Sequence, residues 1–296
     1  MSRIFVTGSE GFIGKYAVLA LQKSGHEVFT LDLLPSEQRT NHFQSDIRSA
    51  DLDLILNEIK PEVVVHLAAQ VVVTESFIDP ENDLEINGVG TLRLVQASIN
   101  SGCRNFCYIH SGGAVYDSDT SLPLTETSPE RPVSPYGLTK KLGEGYVRVL
   151  SQASGTAWSS LAYSNVYGSV LTHQRGVIYE FWKALSEGRS PSIFGKNVTR
   201  DFLYIEDAVR AIVLAAENPT NTRVNISSAT EITLMALYEK ISKYLAVEIN
   251  PNLMPARNGE ILRSCLDNNK AKKVLNWSPK INLETGIQLC IPKSLV

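Results

Sequence analysis

Tyr136 and Lys140 stand four residues apart in the stretch SPYGLTK, a pair that could move a proton at neutral pH. Ser134 suits a helix N-cap and Pro135 the first helical position, so a helix is predicted from Tyr136 to about residue 154. Four-residue spacing stacks the phenol and the ammonium on one helical face. An ammonium beside a phenol favours the phenolate and draws its pKa down from ~10 toward the working range. Such a phenol can serve as a general acid and base. By itself Y-x-x-x-K is a common accident, so its meaning depends on what else the chain builds.

A second stretch gives it that context. Ile4, Phe5 and Val6 read as a buried strand, and TGSEGFIG (residues 7–14) turns sharply into an amphipathic helix over 12–23. Glycines at such a turn let a pyrophosphate approach the backbone at the positive end of a helix dipole. The spacing is G-x-x-G-x-x-G, not G-x-G-x-x-G, so the loop alone is weak. Asp32 strengthens it: it ends a second strand over 28–31, eighteen residues after Gly14. A carboxylate there accepts hydrogen bonds from ribose hydroxyls and repels a 2′-phosphate. The reading is a dinucleotide site that favours NAD over NADP.

The elements that must position these residues follow in order. A short strand is expected over 42–45, and a helix over 50–58 with Leu52, Ile55, Leu56 and Ile59 on one face. An apolar strand over 63–67 leads into Ala68 and Ala69, small residues against which a cofactor can lie. A long helix over about 79–100 and a strand over 106–109 follow. This alternation implies an α/β fold, a Rossmann-type doubly wound parallel sheet with helices on both faces. Gly8, Asp32, Ala68 and Ser111 all fall at strand carboxyl ends and would line one rim. Further on, helices are expected over 176–187, 206–217, 234–245 and 268–275, with a strand over 224–226 and the segment 202–217 returning to the large domain. The division expected is a dinucleotide domain over 1–166, rejoined by about 198–226, with 167–296 mainly a smaller, interleaved substrate domain.

The bulk numbers narrow the classes. The chain has 296 residues, 43% hydrophobic and 20% charged, with a formal net charge of −3. That balance gives no reason to expect nucleic acid or an anionic membrane as partner. The cysteines (Cys103, Cys107, Cys265, Cys290) lack metal-ligand spacing, so no metal is expected and a reducing cytoplasm is the simpler home. No apolar run approaches the ~20 residues needed to span a bilayer. The first residues run straight into a core strand, so no leader is expected.

Taken together the motifs resemble the extended short-chain dehydrogenase/reductase family, in its NAD-dependent sugar epimerase/dehydratase branch. The resemblance runs through TGSEGFIG, Asp32, Asp46-Ile47-Arg48, HLAA (66–69), INGVGT (86–91), SGGAVY (111–116), SPYGLTK and SNVYG (164–168). It continues in IFG (193–195), TRDFLYIEDAV (199–209), PARNGE (255–260) and LNWSPK (275–280). It implies that Gly8, Gly11, Phe12, Ile13, Gly14 and Asp32 hold NAD. Asp46 and Ile47 would meet the adenine, Leu67, Ala68 and Ala69 the central cofactor, and Lys140 the nicotinamide ribose. Tyr136 would be the catalytic base, with Lys140 and Ser111 completing the catalytic set. Tyr163 and Asn165 would border nicotinamide and substrate, while Gly112, Arg200, Arg257 and Glu260 would meet a nucleotide sugar. The two arginines would clamp its diphosphate, since a guanidinium fork suits phosphate oxygens.

The family usually carries Ser or Thr where this chain has Gly112; Ser111 could supply that hydroxyl if the loop backbone shifts. Asp117 stands where glycine is usual, Ala162 where arginine is, and Ser169 where proline is. Members closest in pattern are epimerases acting at C4 of UDP-sugars, which implies that activity and a homodimer paired through the helices near 83–100 and 135–154. The 4,6-dehydratases need an acid beside the catalytic hydroxyl, and Gly112-Gly113-Ala114 offers none. A nucleotide-sugar reductase is the alternative enzyme, disfavoured by Asp32 where it prefers NADPH. A non-catalytic NAD-binding protein is the alternative class, and it would be expected to have lost Tyr136 or Lys140.

Overall fold

The computed structural model describes residues 1–117, 119–172, 175–256 and 261–292. β1 (Arg3–Thr7) enters the core at once: Ile4 and Val6 face one side of the sheet and Phe5 the other, all fully buried. α1 (Phe12–Lys23) has the predicted limits and buries Ala17, Val18 and Leu21. β2 (Glu27–Asp32) ends on Asp32, and β3 (His42–Gln44) follows. α2 (Leu52–Ile59) starts later than the apolar spacing suggests because Asp51 caps it, accepting from Leu54 N–H at 3.0 Å. β4 (Val63–His66) is buried at every position, as expected of a central parallel strand.

The helix expected over 79–100 is present over 80–100, widened by a π-helical turn in its middle. α3 (Val73–Ile78) precedes it unforeseen, then come α4 (Pro80–Leu84), a π-helical turn (Glu85–Gly90) and α5 (Thr91–Asn100). β5 (Asn105–Ser111) leads into the one-turn α6 (Gly112–Val115). α7 (Pro135–Ser154) is capped as predicted, with Ser134 Oγ accepting from Gly137 N–H at 3.1 Å, and it stops at Gly155, whose φ is +76°.

The second half adds β6 (Ala157–Tyr163), β7 (Asn165–Tyr167), α8 (Gly176–Ser186), β8 (Ser192–Phe194) and β9 (Thr199–Tyr204). Then come α9 (Ile205–Glu217), β10 (Thr222–Ile226), β11 (Glu231–Thr233), α10 (Leu234–Leu245), β12 (Asn252–Met254), α11 (Asn269–Leu275) and α12 (Leu283–Cys290). No helix among the described residues is long and apolar enough to cross a membrane. The four cysteines are buried free thiols.

The central sheet has seven strands in the order β10-β6-β5-β4-β1-β2-β3, all parallel. Winding reverses between β1 and β4, which opens a crevice beyond their carboxyl ends. α9 lies on α1, and β10 extends the sheet beside β6. β9 does not return to this sheet, contrary to expectation for the strand at 202–205. It pairs with β7 and β11 in a separate three-stranded sheet. Aromatic packing holds it there, with the Tyr167 ring edge-on to Phe202 at 6.1 Å and to Tyr204 at 5.4 Å.

Candidate active site at the carboxyl rim

The glycine turn is shaped by contacts of the chain with itself. Gly8 has φ +72°, and a Cβ there would stand 2.6 Å from the Ala68 nitrogen; at Gly14 it would stand 2.0 Å from Gly8 O. Those two glycines let β1, the residues after β4 and the start of α1 meet. Gly11 meets nothing closer than 3.2 Å and is exposed. It is also the N-cap of α1, with no side-chain cap and no acid in the first turn. The N–H groups of that first turn, Phe12 and Ile13 among them, are therefore aimed at an open rim that suits an anion.

Asp32 closes the same rim. Its Oδ2 accepts from Glu10 N–H at 2.8 Å and its Oδ1 from Leu34 N–H at 3.0 Å, which fixes the carboxylate while leaving lone pairs on both oxygens. Glu10 is paired with Arg39, a contact sequence reading did not find. Asp46 follows β3 on this side, but Arg48 grips its carboxylate and holds its pKa low. Ile47 is buried, with Cγ2 close to Gly90. Leu67 and Ala68 lie against Gly8, Ala69 follows them, and Ala68 N–H donates to Thr7 Oγ1 at 3.3 Å.

Across the rim, the N-terminal turn of α7 places Tyr136 beside the last residue of β5. Burial, with the Asp83 charge adding to it, raises Tyr136 above its ordinary value, and the nearby Ser111 side chain only partly offsets this. This corrects the expectation from four-residue spacing. Lys140 is itself buried, its Nζ 4.2 Å from the centre of the Tyr108 ring, and burial pushes its own pKa down to about 7. Burial, more than the four-residue spacing, sets the pKa of both groups.

Gly112 is closed off: a Cβ there would stand 2.5 Å from Leu266 Cδ1. A Cβ at Gly113 would instead point toward Ser264 Oγ and Asn165 Oδ1, at 3.5 and 4.0 Å. Asn165 is thus brought to the Ser111 loop. Tyr163 ends β6 beside Ser111, but its ring turns into the core and its hydroxyl donates to Ala208 O at 2.8 Å. Its side chain is therefore not part of the rim. Arg200, on β9, donates from Nη1 to Thr199 O and Ile261 O. Arg257 and Glu260 lie outside the described residues. Unforeseen from sequence was a buried polar ring behind α7, formed by Gln70, Asp83, Asn87 and Thr139.

With this geometry in hand, comparison decides the lineage. Residues 4–227 match the NAD dependent epimerase/dehydratase family. The chain belongs to that family. It is 37% identical to a UDP-glucose 4-epimerase of Mycolicibacterium smegmatis, with 96% of each chain covered. Among solved structures it is similar to the UDP-glucose 4-epimerase of Thermotoga maritima with UDP-glucose, at TM-score 0.92, 33% identity and 97% of each chain. It is likewise similar to the Thermus thermophilus UDP-glucose 4-epimerase in complex with NAD, at TM-score 0.89, 30% identity and 97% of each chain.

NAD is the cofactor of this family, and the residues present fit it. The uncapped first turn of α1 faces the crevice at the switch point, with a fixed carboxylate at the end of the neighbouring strand. A diphosphate needs the first, and a ribose without a 2′-phosphate the second.

Proposed function

We propose that this protein interconverts UDP-sugars differing at C4, as an NAD-dependent epimerase passing through a 4-keto sugar. In this reading residues 1–166 with 198–226 carry the cofactor, and 167–296 mainly hold the nucleotide sugar. Gly8, Gly11, Phe12, Ile13, Gly14 and Asp32 seat the pyrophosphate and adenosine ribose, Asp46 and Ile47 border the adenine, and Leu67, Ala68 and Ala69 line the crevice. Arg200, Arg257 and Glu260 take the diphosphate and sugar side. Bound NAD would supply the hydride acceptor and donor that the change at C4 requires.

Tyr136, as phenolate, removes the proton from the sugar 4-hydroxyl as that carbon loses its hydride. It returns the proton to the carbonyl oxygen when the hydride comes back, so atoms and electrons balance over the cycle. Lys140, as ammonium, steadies the phenolate and reaches the nicotinamide ribose. Ser111 holds the sugar oxygen that Tyr136 works on. The observation that carries this reading is the placing of the buried Tyr136 beside Ser111 at the carboxyl end of β5. Gly112 and Gly113 follow Ser111, and no carboxylate is among the atoms nearest to where a Cβ at either would lie.

A dimer completes the proposal. α7 exposes Leu138, Leu142 and Val149, and nearby Phe77 and Ile78 are exposed as well. A groove of about 650 Å³ runs along the outer faces of α2, α5 and α7 past Asp53, Arg93, Ile99 and Leu150. Apolar exposure along one helix face suits a second copy of the chain. Four buried free thiols suit the reducing cytoplasm as location. The test is a panel of UDP-sugars given to purified protein, with products separated by chromatography and the released nucleotide weighed by mass spectrometry. Interconversion of one C4 pair with NAD recovered unchanged is expected; net reduction or loss of water contradicts the proposal.

A further inference from the structure

We propose that Asp83 is a positioning residue, a buried counter-charge that keeps Lys140 an ammonium and is tied to α7 through Thr139. The inference rests on the reading of Tyr136 and Lys140 as the proton-handling pair. Asp83 is fully buried in α4. Its Oδ1 accepts from Gln70 Nε2 at 2.8 Å and Asn87 Nδ2 at 3.2 Å, and its Oδ2 accepts from the Thr139 hydroxyl. Three donors and no acceptor suit an ionised carboxylate. Asn87 closes the ring by donating to Gln70 O at 3.0 Å and accepting from Gln70 N–H at 2.9 Å. Asn87 sits in the π-helical turn that follows α4, and such turns are frequent at functional sites.

No cation pairs directly with Asp83 among the described residues, and a buried carboxylate without one is costly. Its charge is therefore available to Lys140, the next residue after Thr139. The groups facing Lys140 are Tyr136 and Glu144 of α7, Tyr108 and His110 of β5, His66 of β4, and Asp83. Burial keeps both histidines neutral, with pKa values down at about 3 for His66 and about 4 for His110. Glu144 is committed elsewhere, gripped at both oxygens by Arg223. Against the burial that drives Lys140 toward neutrality, Asp83 is the leading opposing charge and Glu144 the second. The same charge disfavours the Tyr136 phenolate. Asp83 thus shifts both groups toward higher pH.

The hydrogen-bond ring can survive without the charge. In Asp83→Asn the side-chain oxygen keeps Gln70 and Asn87, while the amide nitrogen donates to Thr139 Oγ1, whose proton can go to Tyr136 O at 3.1 Å. Asp83→Ser is a second charge-free variant, and Thr139→Val keeps the charge but removes the tie. Lys140 is followed by NMR in apoprotein carrying ¹³C,¹⁵N-lysine, its signal assigned by its absence in Lys140→Met. Lys140 should titrate about 1–3 pH units lower in the charge-free variants, the ordinary effect of a nearby opposite charge. Thr139→Val should titrate like the wild type. Unchanged titration in a folded charge-free variant overturns the proposal.

A pH–rate profile on the UDP-sugar then separates the two readings. Both limbs should move to lower pH in Asp83→Asn. If the lysine titration drops while the profile stays, the counter-charge stands and the catalytic use of the Lys140 charge fails.

Discussion

Leu266 occupies the space that a side chain at residue 112 would need, its Cδ1 2.5 Å from where a Cβ of Gly112 would stand. Leu266 is fully buried and its backbone is pinned. Its N–H donates to Asp201 Oδ2 at 3.3 Å, its carbonyl accepts from Ser227 Oγ at 2.8 Å, and its segment bridges to Leu124. A serine at 112 would therefore have to displace the buried Leu266 side chain, whereas Ser111 already lies beside Tyr136.

Ser111→Ala should slow turnover roughly tenfold or more, consistent with one hydrogen bond of ~1.5–3 kcal/mol to a charged group. Gly112→Ser should not restore Ser111→Ala, and alone it should cost about 1–3 kcal/mol of stability through overpacking against Leu266. Steady-state kinetics and urea unfolding check both. Full activity in Ser111→Ala, or a stable Gly112→Ser that rescues it, contradicts the assignment.

Asp32 should make the apoprotein bind NAD roughly tenfold or more tighter than NADP. Asp32→Asn should narrow the gap by removing the charge that meets the 2′-phosphate. Calorimetric titration with both cofactors decides it, and equal binding by the wild type sinks the assignment.

Acid should destabilise the fold through two buried histidines. His66 is held between Thr7 Oγ1 at 2.7 Å and Thr91 Oγ1 at 2.9 Å, while neither nitrogen of buried His110 makes a hydrogen bond and its Nε2 stands 3.9 Å from Glu144 Oε2. Their folded pKa values, about 3 and about 4, lie below the ordinary 6.5. Between those limits the unfolded chain binds more protons, so stability is lost as pH falls. Each histidine contributes a slope of about 1.4 kcal/mol per pH unit in its window. His110→Phe keeps a ring tilted beside Tyr108 and should reduce the slope of urea stability between pH 6 and 4. An unchanged slope there contradicts the account.

The dimer proposal places exposed Val149 of α7 in the interface. Sedimentation should find a dimer at micromolar concentration and a shift toward monomer in Val149→Glu, with far-UV circular dichroism unchanged. A wild-type monomer at that concentration ends the proposal.

Local signals carried far in this chain where one element decided the outcome. The limits of α1 and α7 were legible from apolar spacing and from the Ser134 cap with Pro135 after it. The π-helical turn at Glu85–Gly90 was not, because widening a helix by one residue leaves no mark in composition. β6 escaped notice because Ser159 and Ser160 are polar yet fully buried, Ser159 accepting from Thr220 N–H. Gly112 against Leu266, and Asp83 against Thr139, are meetings of distant segments that no local pattern encodes. The Tyr136–Lys140 pair was found by spacing, whereas its electrostatics were misjudged because burial decides them.

The central claim is that Tyr136 moves the proton. The direct measurement is turnover of the active UDP-sugar by wild type and Tyr136→Phe, each with its bound NAD quantified. The account predicts equal NAD content, because the ring still packs, and a rate lower by about 10²–10⁴-fold in the variant. Wild-type turnover by Tyr136→Phe would contradict it.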